Sequence, residues 1–461
     1  MSSVSQSCSY TQQLSAAPDF LVLHAAAPGT YPFLLQSAAQ GTEQGRYDIL
    51  FAYPGETLCL SGDHCLTGPC AGGAIGFLEA LALWYATEAS AAPSEPKNTL
   101  PFAGGWFLYL GYELAGELEP GLELPGNPDQ PVALATRVPA ALVYDHQRRE
   151  CFAVAETATL LETLLIGLDE VKALPDAPSD RLARQSSEEN PAQFLAAVER
   201  VKKHIAAGDI YQANLSRQWH APALGQKAWQ LYQQLCRANP APFAGFADFS
   251  EVEGVKLDYA IVSSSPERLV AVRNGRVDTR PIAGTRPRHS AEPITEAELA
   301  EFLGNPKERA EHVMLIDLER NDLGRICQGG SVIVSEFMAI ESYSHVHHIV
   351  SNVVGTLRDD VDIADIIRAV FPGGTITGCP KVRCMEIIAQ QEGRARGAYT
   401  GSMGYLNRDG SCDLNILIRT MVLQADQITL SAGSGIVADS NPQAELDETR
   451  AKAKGLLLAI E

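Results

Sequence analysis

The sequence predicts a mixed α/β fold, and three observations support that prediction. Short apolar runs bounded by turn residues, such as Phe20–Leu23, Tyr47–Ala52 and Trp106–Leu110, are typical of strands. Between them, Ala74–Thr87 carries apolar residues at helical spacing. Glycine-rich turns then separate further strand and helix patterns through the carboxy-terminal half. A chain of 461 residues with this alternation is expected to form two or three ordinary units or one large α/β architecture.

The elements of the second half follow a segment without apolar periodicity. Leu174–Asn190 is rich in proline, serine and charged residues, which is typical of a surface linker. Directly after it, Asn190 is placed to cap a helix and Pro191 to begin it, and an apolar stripe follows at helical spacing. Strands are then expected at Ala260–Ser264 and Ile428–Ser431.

Charge and composition exclude several classes of function. The chain has 36 Lys and Arg against 56 Asp and Glu, a formal charge of −20, with a globular composition of 46% apolar and 20% charged residues. Nucleic acid and anionic lipid are disfavoured as partners because both require clustered cations. The sequence has no uncharged apolar run long enough to span a membrane and no signal peptide. We therefore expect a cytoplasmic protein that binds neither membranes nor nucleic acid.

The cysteines favour reduced thiols over disulfides or zinc. Ten of them are scattered along the chain, unlike the dense framework of a secreted domain. His64, Cys65 and Cys70 lie close together, but their spacing does not give two ligand pairs for zinc.

Two predicted helices each carry a pair of carboxylates three residues apart, at Glu308 and Glu311 and at Glu445 and Glu448. This spacing places both acids of a pair on one helix face. Each pair also has an ordinary structural explanation: Glu308 occupies a capping-box position, and Glu448 precedes Lys452 by four residues, as in a stabilising helical ion pair. The functional hypothesis is that the four carboxylates converge on a hard divalent cation such as Mg²⁺, which prefers oxygen ligands.

Two glycine-rich segments are candidate anion sites. Gly433, Ser434 and Gly435 follow a predicted strand and can present backbone N–H groups to an anion. The segment 371–381 leads into a predicted helix over Val382–Glu392, whose amino-terminal end also suits an anion. Neither segment has the ending of a phosphate-binding loop or the third glycine of a dinucleotide site, so nucleotide binding is not expected.

Three polar side chains lie in apolar surroundings. Glu267 follows a predicted strand, where burial would raise its pKa toward that of a general acid. His348 lies in an alternating strand-like run and is as readily a core histidine as a catalyst. Arg419 lies in the apolar segment NILIRTMV, which we expect to be a strand, and it therefore needs an anionic partner such as a carboxylate.

These segments, in this order, resemble the chorismate-utilising enzymes: anthranilate synthase, aminodeoxychorismate synthase, isochorismate synthase and salicylate synthase. The matching strings span residues 208–455 and are GDIYQANLSR, SSSPERL, RPIAGTRPR, ERAEHVMLIDLERNDLGRI, HVHHIVSNV, GGTITGCPKVRCMEII, GAYTGSMGY, LIRT, SAGSGIVADS and AELDET. Residues 20–115 resemble the amino-terminal part of the aminating members more weakly. The resemblance implies a large sandwich of two packed β-sheets with helices outside. It also implies an amino-terminal region over 1–180 and a chorismate-binding catalytic region over 190–461, interleaved in one fold.

The resemblance also implies roles for the candidate residues. Glu267 matches the acid that assists departure of the C4 hydroxyl, and His348 matches an active-site histidine. The implied Mg²⁺ ligands are Glu311 and Glu448 directly, with Glu308 and Glu445 through water. The implied contacts to the two substrate carboxylates are Gly284, Thr285, Tyr399, Arg419, Gly433, Ser434, Gly435 and Lys452. Cations and N–H donors would together neutralise a dianion.

The choice among family members depends on the nucleophile. The isochorismate and salicylate synthases use a lysine to activate water, and this sequence has Gln212 at that position, so ammonia is the expected nucleophile. Asp48, Pro287 and the string 374–377 are similar to aminodeoxychorismate synthase component I, whose product is 4-amino-4-deoxychorismate for 4-aminobenzoate and folate. HIVSNVVGTL is equally similar to anthranilate synthase, the second candidate. Ala283 replaces the lysine that in some aminodeoxychorismate synthases forms a covalent bond to ring C2, so nitrogen must reach C4 by another route.

The expected partners follow from the same resemblance. No cysteine lies in the context of a glutaminase nucleophile, so a separate glutamine amidotransferase subunit is expected to supply ammonia, and no fused lyase is expected after Glu461. Ser37, Pro242, Phe243 and Ala244 match the tryptophan pocket of the family, although ordinary loop packing explains them equally well. A non-catalytic subunit that binds chorismate or tryptophan is the hypothesis from another class.

Overall fold

The computed structural model describes residues 9–38, 45–89, 100–170, 185–252, 254–255, 257–287, 304, 306–342 and 346–461. Side chains 169–170, 283, 285–287, 306–308 and 346 also lie outside the description. The α-helices of the described residues are α1 Phe20–Ala26, α2 Phe77–Glu88, α3 Ala115–Leu118, α4 Ala158–Glu170, α5 Pro191–Ala206, α6 Ala228–Ala238, α7 Pro306–Gly324, α8 Ile363–Val370, α9 Lys381–Glu392 and α10 Pro442–Ile460. Short 3₁₀ turns lie at Ala71–Gly73, Tyr112–Leu114 and Gly374–Ile376.

The strands fall along the whole described chain. They are β1 Tyr10–Gln13, β2 Phe33–Gln36, β3 Tyr47–Ala52, β4 Thr57–Leu60, β5 Leu66–Thr67, β6 Gly105–Leu110, β7 Ala133–Val138, β8 Ala140–Asp145, β9 Glu150–Ala155, β10 Ser187–Glu188, β11 Gln212–Pro222, β12 Phe243–Asp248, β13 Tyr259–Ser265, β14 Arg268–Arg273, β15 Arg276–Thr279, β16 Ile282–Pro287, β17 Ile333–Ser342, β18 Val346–Thr356, β19 Gly378–Cys379, β20 Ser402–Asn407, β21 Cys412–Asn415, β22 Thr420–Gln424 and β23 Gln427–Ile436.

These strands form two large antiparallel sheets. The first has the order β1-β9-β8-β3-β2-β12-β13-β22-β23-β11-β10, with β19 also paired to β11. The second has the order β16-β18-β15-β14-β21-β20-β6-β7-β4-β5, with β17 also paired to β18. Strands from both parts of the sequence lie in each sheet, since β2 pairs with β12 and β6 pairs with β20.

The two sheets face each other across an apolar core, and helices cover their outer faces. The core between them is rich in aromatic side chains from both sheets, including Phe33 stacked on Phe107 at 4.1 Å between ring centroids. Helices α2, α7 and α8 cover the second sheet, while α1, α4, α6 and α10 cover the first. The predicted mixed α/β fold of two packed sheets with outer helices is therefore confirmed.

Most of the predicted elements are present, with two exceptions. The helix after Asn190 begins at Pro191, and the Asn190 side chain accepts a hydrogen bond from the Ala192 N–H at 3.0 Å. Phe20–Leu23 was predicted as a strand, which is wrong: it begins α1, because the Asp19 carboxylate caps the helix by accepting from the N–H of Leu21 at 2.9 Å. Arg419 is the other exception and belongs to the site.

The predicted linker falls mainly outside the described residues, which resume at 185. Among the helices of the described residues, none combines the length and apolarity needed to cross a bilayer.

Candidate active site

The candidate site forms where β23 runs between β11 and α10. Gly433, Ser434 and Gly435 were expected in a turn after a strand, but they lie inside β23, opposite Ser216, Leu215 and Asn214 of β11. The pairing of β23 with β22 extends only to Leu430 opposite Met421. The last residues of β23 therefore have an edge next to α10 that β22 does not cover.

Neighbouring side chains lie over the strand at two of these positions, and glycine is required at Gly433, where a Cβ atom would also lie 2.7 Å from the Leu215 carbonyl oxygen. A Cβ atom at Gly433 would come within 2.6 Å of the Tyr399 hydroxyl and would also clash with Asn214. A Cβ atom at Gly435 would lie 2.7 Å from Nε2 of Gln212. The absence of side chains at Gly433 and Gly435 allows Gln212, Asn214 and Tyr399 to lie against the backbone of β23.

Helix α10 brings predicted metal and substrate residues to the same edge. The Glu445 carboxylate accepts a hydrogen bond from the Ser434 hydroxyl. Lys452 donates to the Gly433 carbonyl at 3.0 Å and pairs with Glu448 at 2.8 Å. The structural explanation of the Glu448–Lys452 spacing, a helical ion pair, is thus realised in this structure.

Arg419 does not lie in a strand, and that expectation is wrong. It lies between β21 and β22 with a φ of 53°, and its Nη1 donates to the Lys452 carbonyl of α10. Burial lowers its pKa, while the nearby Tyr399 and Glu448 oppose the shift. The bend directs the guanidinium out of the first sheet to α10, where its described hydrogen-bond partner is a carbonyl and not the expected carboxylate.

Glu267 lies between β13 and β14 and is 4% exposed. Its backbone N–H donates to the Ser265 hydroxyl at 3.2 Å, and its carbonyl accepts from Ile416 at 3.0 Å, so the residue is fixed at both ends. The carboxyl group accepts from the Ile282 N–H at 3.5 Å. Burial raises its pKa to about 7, and the Thr375 hydroxyl, the Ile282 N–H and the Lys452 charge offset only part of that shift. A carboxyl group with this pKa is protonated in about half of the molecules at pH 7, so it can act as a proton donor.

His348 lies in β18 beside the bulge that β16 forms at Gly284. The register between β16 and β18 shifts between Ala283 and Thr285, and Gly284 takes a φ of 71°, which glycine adopts without strain. Burial lowers the pKa of His348 to about 4, although a hydrogen bond to the Gly284 backbone opposes the shift. His348 is therefore a neutral imidazole at pH 7. The side chain of Thr285 lies outside the described side chains.

Tyr399 forms a wall of the site and is held by a buried ion pair. Arg396 pairs with Glu392 at 2.6 Å and donates to the Asn214 carbonyl at 2.7 Å. Its guanidinium lies over the Tyr399 ring at 5.6 Å. Burial raises the pKa of Tyr399 to about 12, so its hydroxyl stays protonated and can donate a hydrogen bond.

The first carboxylate pair lies on α7, which packs against β16, β18 and the turn Gly374–Ile376. Glu311 is partly buried, and the side chain of Glu308 lies outside the described side chains. Among the described residues, no three His, Cys, Asp or Glu side chains are close enough to hold a metal ion. The donor chemistry of the four carboxylates fits Mg²⁺, which remains a prediction.

Two polar groups of the site were missed by the sequence reading. Asn214 lies two residues after Gln212, and the period of two in a strand could have placed both side chains on one face. Glu319 of α7 is 7% exposed, and burial together with Asp322 raises its pKa to about 8. Asp322 itself pairs with Lys381 at 2.7 Å. The sequence contains no signal for Glu319 because its burial depends on how α7 packs.

The four residues predicted for a tryptophan pocket line one cavity of about 900 Å³ between the sheets: Ser37, Pro242, Phe243 and Ala244. The Ser37 hydroxyl donates to the Pro242 carbonyl at 3.2 Å. Arg268 lies over the Phe243 ring at 5.1 Å and also lines the cavity.

Together, Glu267 with its raised pKa, the cations Arg419 and Lys452 and the open edge of β23 define a site for an anionic substrate beside an acid. The chain matches the chorismate binding enzyme family over residues 34–458 and belongs to that family. It is 43% identical over 372 residues to the anthranilate synthase component I-like protein of Synechocystis sp., covering 78% of this chain and 74% of that protein. It is 40% identical over 400 residues to aminodeoxychorismate synthase component 1 of Bacillus subtilis, covering 83% of this chain and 82% of that protein.

The fold is similar to that of a solved member of the family. The crystal structure of anthranilate synthase component I from Streptococcus pneumoniae superposes with a TM-score of 0.75 at 31% identity, over 90% of this chain and 93% of that chain. The predicted family is therefore confirmed. The relatives divide between aminodeoxychorismate synthase and anthranilate synthase, so they do not decide between the two products.

Proposed function

We propose that the chain is component I of an aminodeoxychorismate synthase, which converts chorismate and ammonia into 4-amino-4-deoxychorismate and water. The observation that carries the proposal is Glu267, a buried carboxyl group whose pKa is raised to about 7 and which lies within the electrostatic influence of Lys452. Loss of a ring hydroxyl requires a proton donor, because hydroxide is a poor leaving group. A transferase of this kind would serve the synthesis of 4-aminobenzoate and folate.

In the proposed reaction Glu267 donates one proton and regains one proton. The acid gives its proton to the C4 hydroxyl, the C–O bond breaks and water leaves. A C–N bond forms as ammonia adds to the ring, and the ammonium so formed releases the proton that restores Glu267. Neutral His348 neither competes for that proton near pH 7 nor adds a charge beside the substrate.

The substrate carboxylates would bind at the edge of β23. Arg419 and Lys452 supply positive charge there, and Tyr399 supplies a hydroxyl donor. In this structure Lys452 is bound to Glu448 and to the Gly433 carbonyl, so a substrate carboxylate would have to replace one of these contacts. The same residues would hold the dianion whichever aminated product forms.

Four carboxylates are proposed to hold Mg²⁺. Glu311 and Glu448 would coordinate the ion and Glu308 and Glu445 would reach it through water, with α7 and α10 each carrying one pair. When bound, Mg²⁺ supplies positive charge that neutralises a substrate carboxylate. Mg²⁺ would compete with Lys452 for the Glu448 carboxylate, because Glu448 forms its described ion pair with this lysine.

Two partners belong to the same proposal. A separate glutamine amidotransferase subunit would deliver ammonia. Tryptophan would occupy the cavity of about 900 Å³ that Ser37, Pro242, Phe243 and Ala244 line. Its apolar ring would face Phe243, and the charged groups of the cavity would face its amino and carboxylate groups.

Anthranilate synthase component I is the second candidate, and position 283 favours it. Ala283 offers no amine for a covalent bond to ring C2. Direct addition of ammonia at C2 needs no such bond, and the structural relative from Streptococcus pneumoniae has that name. Both candidates use the same acid and the same nucleophile.

Product identification tests the proposal. The purified chain is incubated with chorismate, Mg²⁺ and ammonium, and the product is coupled to a lyase that releases 4-aminobenzoate. A 4-aminobenzoate signal by mass supports the proposal, with the Glu267→Gln variant as the matched inactive control. Fluorescent anthranilate without the lyase would establish the second candidate instead. Chorismate binding without turnover would establish a non-catalytic subunit.

A further inference from the structure

The Glu113 carboxylate binds two consecutive backbone N–H groups next to the candidate site. Glu113 lies in the 3₁₀ turn Tyr112–Leu114, which follows β6. One carboxylate oxygen accepts from the Arg396 N–H at 2.7 Å, and the other accepts from the Gly397 N–H at 3.0 Å. Hydrogen bonds to an ionised carboxylate are stronger than those between neutral groups. Glu113 thus fixes a turn that lies 283 residues farther along the chain.

The turn at Arg396 and Gly397 leads directly to Tyr399. The Arg396 carbonyl accepts from the Tyr399 N–H at 3.1 Å, so the backbone of Arg396 is bound to Glu113 on one side and to Tyr399 on the other. Gly397 has a φ of 59°, and its carbonyl accepts from the Tyr112 N–H at 2.9 Å. The short stretch of backbone between the Glu113 carboxylate and the Tyr399 ring is therefore held at both of its ends.

The same carboxylate also supports the contact between Arg396 and Tyr399. The Arg396 guanidinium lies over the Tyr112 ring at 4.9 Å and over the Tyr399 ring at 5.6 Å. A shift of the turn that Glu113 binds would move this guanidinium and the Tyr399 ring together. The Tyr399 hydroxyl lies over Gly433, at the strand edge where a substrate carboxylate would bind. A displacement at Glu113 is therefore expected to reach the substrate through Tyr399.

The two hydrogen bonds depend on the charge of Glu113. Burial raises the pKa of Glu113 to about 7, and the two backbone N–H groups and the Arg396 charge oppose the rise. A protonated carboxyl group turns one oxygen into an O–H donor, which cannot accept well from the second N–H. The titratable and charged groups that face Glu113 or line the same cavity of about 450 Å³ are Tyr109, Tyr112, Tyr259, Arg396, His64, Glu117 and Glu123. Both hydrogen bonds are thus expected above pH 7, and one of them is weakened below it.

We propose that Glu113 is a positioning residue for Tyr399: its carboxylate holds the turn at Arg396 and Gly397 and so places the Tyr399 hydroxyl at the edge of β23. This inference rests on the proposed binding of chorismate at that edge. Glu113 itself does not contact the substrate. Its role is to set the affinity for chorismate from the amino-terminal part of the chain, through one backbone turn.

The test measures the chorismate Kd by calorimetry in the Glu267→Gln background, which does not consume chorismate and in which Glu267 does not titrate. Glu113→Gln keeps the shape of the side chain and replaces one acceptor oxygen by an amide donor, so Kd at pH 8 should rise about tenfold. Glu117→Gln is the matched control. Its carboxylate also accepts two backbone N–H groups, from Phe77 at 2.8 Å and Leu78 at 2.9 Å, but it holds the start of α2 and not the turn before Tyr399. Its Kd should stay within about twofold of the background value.

Two further readouts separate positioning from a general structural role. With Glu113 present, Kd should rise about fivefold as pH falls from 8 to 6, and Glu113→Gln should remove that dependence while Glu117→Gln keeps it. Tyr399→Phe should raise Kd on its own. Adding Glu113→Gln to Tyr399→Phe should then raise Kd by less than about twofold, because the two residues act through the same hydroxyl.

The outcomes that overturn the proposal are distinct. An unchanged Kd in Glu113→Gln, or an equal rise in Glu117→Gln, would reduce Glu113 to a structural contact. Full additivity of Glu113→Gln and Tyr399→Phe would show that Glu113 acts by another route. If Glu113→Gln fails to fold, Glu113→Asp gives the same comparison, because it keeps the charge but is too short to hold both N–H groups. Unchanged chorismate affinity in Tyr399→Phe contradicts the proposed substrate site itself, a result that the Glu113 variants do not affect.

Discussion

Glu267 and Arg268 are neighbours in the chain, yet they belong to two polar clusters of opposite character. Arg268 lines the cavity between the sheets and binds Asp413 through two hydrogen bonds of 2.9 Å, with Asp278 at 3.5 Å. Glu267 has no ion pair among the described residues; its carboxyl group accepts a long hydrogen bond from Ile282 and lies near the Thr375 hydroxyl. The fold itself provides counter-charges for Arg268, whereas it leaves the Glu267 carboxyl group available to a ligand.

The first and largest expected effect is on turnover. Glu267→Gln keeps the shape of the side chain and removes its acidic proton, so kcat should fall about 10³-fold. Chorismate consumption followed by absorbance measures the loss, and an unchanged chorismate Kd shows that the site is intact. Retention of more than a tenth of wild-type kcat would place the proton donor elsewhere.

The second effect is on stability and concerns the compensated cluster. Arg268→Met leaves Asp413 in a largely buried position with the more distant Arg273, at 3.5 Å, as its remaining described ion-pair partner, and should lower the free energy of unfolding by about 3 kcal/mol. Urea denaturation measures the change. Arg268→Met combined with Asp413→Asn removes both charges and should recover part of the loss. If the single variant were as stable as wild type, Arg273 or water would have to compensate Asp413 in place of Arg268.

Part of the fold and of the candidate site could be predicted from sequence, because some of the signals depend only on neighbouring residues. The cap at Asn190, the strand before Glu267 and the carboxylate pairs on two helices depend on residues within a few positions of each other. Burial next to a strand correctly indicated a raised pKa for Glu267. Local periodicity determines these features.

The rest depends on contacts between distant segments. Arg268 and Asp413 are 145 residues apart and meet only because β14 pairs with β21. Arg419 has a positive φ, which interrupts the expected strand, and the apolar residues around it give no indication of this bend. Gly433 and Gly435 were predicted in an anion-binding turn, but they lie within β23, where side chains from β11 and Tyr399 lie over them, and these contacts exist only in the folded chain. Element patterns do not specify such contacts.

The third effect has the opposite sign to the second and concerns stability as a function of pH. Burial raises the pKa of Glu267 from an ordinary value of 4.5 to about 7. Between these values the folded state binds the proton more tightly than the unfolded state, so stability falls as pH rises and levels off above about 7.

Glu267→Gln removes that dependence. The variant should therefore match wild type near pH 4, below the unfolded pKa, and exceed it by about 2 to 3 kcal/mol at pH 8. Urea denaturation at both pH values measures the difference. Equal stability of the two proteins at pH 8 would mean that a positively charged or hydrogen-bonding group stabilises ionised Glu267. Glu267 would then be compensated in the same way as Arg268.

The smallest effect concerns Lys452, which already has partners in this structure. Its contacts to Glu448 and the Gly433 carbonyl must be exchanged for a substrate carboxylate, so part of the gain on binding is lost in breaking them. Lys452→Met should raise KM for chorismate about tenfold and change kcat by less than about threefold. Arg450→Met is the matched control on α10, because Arg450 pairs with Glu188, away from β23. Equal KM values for the two variants would show that Lys452 serves only its helical ion pair, and Arg419 would then supply the charge that holds the substrate at this edge.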